Sequence, residues 1–86
     1  EDSSKPAKVV LSIKNPYHKL LQLEPLHPTQ KIIKQNKNGI EIELMVNVNP
    51  ELINRILSMG FHCKVLQPAS LKKQVKETLL KAVELY

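Results

Sequence analysis

Nine residues limit this chain more than any others. Ile40, Ile42, Leu44, Val46 and Val48 alternate with Glu41, Glu43, Met45 and Asn47. A period of two puts successive side chains on opposite sides of the backbone, so the run reads as a strand with one apolar and one polar face. An apolar face of that length has to be covered, first by the chain's own helices, although a domain of 86 residues would also profit from a neighbour, a parent chain or an identical copy. The length allows one domain, burying roughly 60–65% of its unfolded surface.

The remaining elements follow from local signals. Val9, Leu11 and Ile13 alternate and read as a first strand. Asn15-Pro16 has the form of an N-cap and a first-turn proline, and Tyr17, Leu20, Leu21 and Leu23 at near-helical spacing predict a short helix ending before Pro25. A strand from Thr29 to Lys34 and the turn Asn36-Lys37-Asn38-Gly39, with positive φ expected at Asn38-Gly39, predict a hairpin with the alternating run. Asn49-Pro50-Glu51 repeats the cap logic with an acidic residue suited to the helix dipole, and Gly60 ends that second helix. Phe61–Leu66 reads as a last strand with Cys63 on its buried side. Leu71, Val75, Leu79, Ala82 and Tyr86 mark a closing helix packed on its own sheet. The order β-α-β-β-α-β-α is α+β: a ferredoxin-like split βαβ with a C-terminal helix, an antiparallel sheet and helices on one face. Residues 1–7 read as a linker and 8–86 as the domain.

Chemistry is hard to place on this chain. Cys63 is the single cysteine, so no internal disulfide forms, in keeping with a reducing cytoplasm. His18, His27 and His62 have no zinc-site spacing with each other or with Cys63, so no metal is expected. No Gly-rich phosphate loop is present, and Glu41 and Glu43 are explained by cross-strand pairing with Lys31 and Lys34. No catalytic residues, no cofactor and no membrane segment are expected. The net charge of +5 and a pI of about 9.5 favour acidic partners or nucleic acid, although the lysines are spread along the chain. The aromatic residues are Tyr17, Phe61 and Tyr86, and the outward sheet positions carry no aromatic ring for base stacking.

Several segments together resemble a known family. His27-Pro28-Thr29-Gln30 precedes the hairpin and Gly39 sits in its turn. Asn49-Pro50-Glu51-Leu52 leads to Ile56-Leu57-Ser58-Met59-Gly60, followed by Val65-Leu66-Gln67-Pro68, Leu71 and Tyr86. Over residues 8 to 86 the chain is similar to the WCX domain, the C-terminal extension of WYL-domain bacterial transcription regulators. It departs from that pattern at Asn54-Arg55, where family members often carry a Trp, and at Gln67 and Ala69, where acidic residues are common. The resemblance implies a parent with a DNA-binding helix-turn-helix and a WYL sensor domain. Within it this segment would be a regulatory and assembly module: homodimeric, in contact with both domains, and open to a nucleotide or nucleic-acid effector. The contact candidates are His27 and Gln30 at the entry to the hairpin, Lys31 beside them, and Arg55, whose planar fork suits carboxylate or phosphate. The alternatives are a stand-alone small-ligand sensor and a single-stranded nucleic-acid binder acting through its lysines.

Overall fold

The computed structural model describes residues 5–86. Four strands, β1 (Ala7–Lys14), β2 (Lys31–Asn36), β3 (Gly39–Val46) and β4 (Cys63–Gln67), form one antiparallel sheet in the order β2-β3-β1-β4. Helices α1 (Tyr17–Leu23), α2 (Pro50–Ser58) and α3 (Ala69–Glu84) complete the chain. The two central strands come from its two halves, and each βαβ half leaves a gap that the other fills. This is the ferredoxin-like α+β arrangement that the element order implied. Part of the expected linker, residues 1–4, lies outside the described residues, and β1 begins at Ala7.

The alternating run does as its period requires. Ile40, Ile42, Leu44 and Val46 point inward with Val9, Leu11 and Ile13, pairing Val9 with Leu44, Leu11 with Ile42 and Ile13 with Ile40. Leu21 from α1, Leu52 and Ile56 from α2, Val65 from β4, and Leu71 and Val75 from α3 close the core. On the opposite face Glu43 lies between Lys8 (3.7 Å) and Lys31 (3.6 Å), joining all three neighbouring strands through ion pairs.

Local corrections have identifiable causes. The Asn15 N–H donates to the Asn38 carbonyl at 2.9 Å, which extends the β1–β3 ladder, so Pro16 and not Asn15 precedes α1, with no side-chain cap. Thr29 lies before β2: its hydroxyl accepts from the Met45 N–H (2.9 Å) and donates to the Met45 carbonyl (3.2 Å), replacing the main chain in the ladder. The hairpin turns without positive φ at Asn38 or Gly39, because the Asn36 side chain accepts from both of their N–H groups. Gly39 is needed for space instead: a Cβ there would collide with the Ile13 carbonyl oxygen. Gly60, at φ +58°, reverses the chain after α2, so Phe61 and His62 form a 3-10 turn and β4 starts at Cys63. Asn49 does cap α2, accepting from the Leu52 N–H at 2.9 Å, with Pro50 in the first turn.

Candidate functional site

The expected contact residues separate into those that build a site and those that face it. Gln30 builds. Its Oε1 accepts from the Leu26 N–H (2.9 Å) and its Nε2 donates to the Leu21 carbonyl (3.0 Å), so one amide clamps the α1–β2 loop to the end of α1. Lys31 lies elsewhere, on the open face of the sheet with Glu43. His27 and Arg55, distant in sequence, meet at one cleft.

That cleft has a volume of about 220 Å³, with Leu26 and His27 on one side and the first turns of α2 on the other. The Asn49 cap and Pro50 turn the chain sharply out of β3, which carries Glu51 and Arg55 to the wall facing the loop. His27 Nδ1 lies 3.1 Å from the Thr29 backbone nitrogen and 2.8 Å from its hydroxyl oxygen, which orients the ring and leaves Nε2 as the ring nitrogen not engaged by Thr29. The guanidinium of Arg55 has no ion-pair or hydrogen-bond partner among the described residues. The cleft therefore presents a forked cation and an imidazole beside one carboxylate, Glu51, so an incoming carboxylate or phosphate group is suited to its Arg55 and His27 side and not to its Glu51 side. It is smaller than a typical small-molecule pocket of roughly 300–1,000 Å³, so it suits one functional group or side chain.

Cys63 is half-buried against the core, and burial pushes its thiol from an ordinary value of 9.0 up to about 12. A thiol held protonated makes a poor nucleophile. Among the described residues no three His, Cys, Asp or Glu side chains are grouped to hold a metal ion, and no helix is long and apolar enough to cross a membrane.

Two features fall outside the expectations drawn from the sequence. Tyr17, His62 and Phe61 form a ring ladder, with centroids 5.2 Å and 4.3 Å apart, ending in an exposed Phe61. The signal for it lay in Gly60: an αL helix end releases the next residues from the strand. The apolar stripe of α3, expected to pack on its own sheet, is covered only at Leu71 and Val75. Leu79, Leu80 and Val83 stay exposed beside β4, and Tyr86 contributes nothing to the core.

Compared with known proteins, residues 5–83 match the family model described as the WCX domain. No curated protein and no solved structure matches the chain.

Proposed function

This chain belongs to the WCX domain family, and from that premise we propose that it is the C-terminal regulatory and assembly module of a WYL-type transcription regulator. In this reading it works by contact and not by catalysis. It holds neighbouring domains of the regulator in register and offers the His27–Arg55 cleft to an anionic group, from either the adjoining domain or a nucleotide or nucleic-acid effector. The observation that carries the proposal is that the Arg55 guanidinium, without a partner among the described residues, lines the same cleft as an oriented His27, and the cleft is sized for one such group.

The test is calorimetric titration of this chain against the WYL domain of its parent, with and without effector. Charge reversal by Arg55→Glu should weaken the contact or the effector response by about tenfold or more, as when a hydrogen-bonded charge pair loses one partner. A parent reading frame without helix-turn-helix and WYL segments would end the proposal, and so would binding indifferent to Arg55.

A second reading draws on the ring ladder. An exposed Phe61 stacked on His62, in a chain of net charge +5, suits the face of an unpaired base. It predicts oligonucleotide binding that falls steeply with salt and is weakened by Phe61→Ala.

A further inference from the structure

We propose that the groove between β4 and α3 receives an extended acidic segment of a partner protein, which adds a strand to the β4 edge. The groove lies outside the His27–Arg55 cleft and holds about 290 Å³. Its floor consists of Val75, Leu79, Leu80 and Val83, the last three exposed. α3 runs 16 residues where β4 has five. At 1.5 Å per helical and 3.3 Å per strand residue this is roughly 24 Å against roughly 17 Å. The helix therefore overhangs its strand, and the apolar stripe continues past what the sheet can cover.

Three observations select the occupant. Among the described residues β4 ends the sheet and pairs only with β1, so its outer row of main-chain donors and acceptors has no strand beside it. Lys64, Lys72 and Lys76 line the groove, no carboxylate does, and none of the three ammonium groups has an ion-pair partner among the described residues. A continuous apolar floor lies between the lysines. A strand whose helix-facing positions, every second residue, carry both apolar and acidic side chains meets all three: main chain to the β4 edge, apolar side chains to the floor, carboxylates on that same face to Lys72 and Lys76. A second copy would bring the same lysines face to face, nucleic acid would leave the floor bare, and a lipid surface would leave the strand edge unpaired.

The test titrates the chain, by fluorescence anisotropy, against a labelled peptide in which valine and glutamate take turns at every second residue with serine between them, with amide shifts mapped by NMR. Saturable binding is expected, weakened by salt, with shifts confined to Cys63–Gln67 and the Val75–Val83 stretch. Lys72→Glu with Lys76→Glu, both exposed positions that leave the core intact, should weaken binding by about tenfold or more at low salt. N-methylating alternate amides of the peptide should abolish it. Arg55→Glu should leave it unchanged, so the groove and the cleft succeed or fail independently. The proposal is overturned if the N-methylated peptide binds equally well or the lysine reversals have no effect. It is also overturned if the chain instead dimerises through this face, with Leu80→Asp restoring a monomer, or if anionic vesicles shift the same amides while the peptide does not.

Discussion

Gly39 starts β3 where β1 passes closest, and its missing Cβ is what allows Lys14 to pair there. Gly39→Ala forces the two central strands apart at Ile13. The expected cost is about 3 kcal/mol or more, at the severe end for single substitutions, read as a drop in the urea midpoint with its slope unchanged. Cys63 gives a pH signature. Its thiol ionises near 9.0 when exposed and near 12 in the fold. The folded state thus keeps a proton that the unfolded chain releases. The stability this represents is complete below about pH 9 and is lost as pH rises toward 12. Denaturation measured from pH 8 to 11 should show a steeper decline for this chain than for Cys63→Ala, which lacks the term; equal slopes would refute the assignment. Gln30 shows how a candidate contact residue can serve the site from behind: both ends of its amide hold the loop that positions His27.

At the scale of elements, α3 is two helices in energetic terms. Its first half buries Leu71 and Val75, while its second half presents Leu79, Leu80 and Val83 to solvent. Leu71→Ala should cost about 2–5 kcal/mol, since it opens a cavity in packed core. Leu80→Lys, on the same helix, should stay within about 0.5 kcal/mol. Paired thermal melts check this, and similar losses at both positions would mean that the second half is covered after all. The β2 strand shows the same incompleteness at the other edge of the sheet: Ile32 is 42% exposed although it pairs with the buried Ile42. The shift in register between Ile32 and Lys34 bends that edge, a device that discourages further strand pairing. β4 has its own irregularity against β1, between Val10 and Leu11, on the inner side of its pairing.

The whole molecule measures 33 × 33 × 19 Å, one sheet and one helical layer thick. Such a body protects its centre and leaves its margins open. Amide hydrogen exchange should be slowest in β1 and β3, which are paired on both sides, and fastest in β2 and the last turns of α3. Uniform protection would contradict this gradient. The His27–Arg55 cleft and the β4–α3 groove lie at those margins, where elements end and side chains remain unpaired. In a domain of 86 residues the core claims most of the large aliphatics, and surfaces left apolar or unpaired mark where a partner would add burial.

What the sequence determined by itself was everything carried by a local period or a local cap: the Ile40–Val46 part of the predicted Ile40–Val48 strand, which stops two residues early, the Asn49–Pro50 start of α2, the end of that helix at Gly60, and from their order the fold. These depend on backbone geometry and on hydrogen bonds within a few residues. Other features were decided only by the tertiary structure. Thr29 bonds to Met45 across the hairpin, Gly39 is needed because of Ile13, Arg55 comes to lie beside His27, and α3 outruns the strand beneath it. The first three depend on which distant segment arrives at which distance, and the last on which strand α3 packs against, and no local period encodes that.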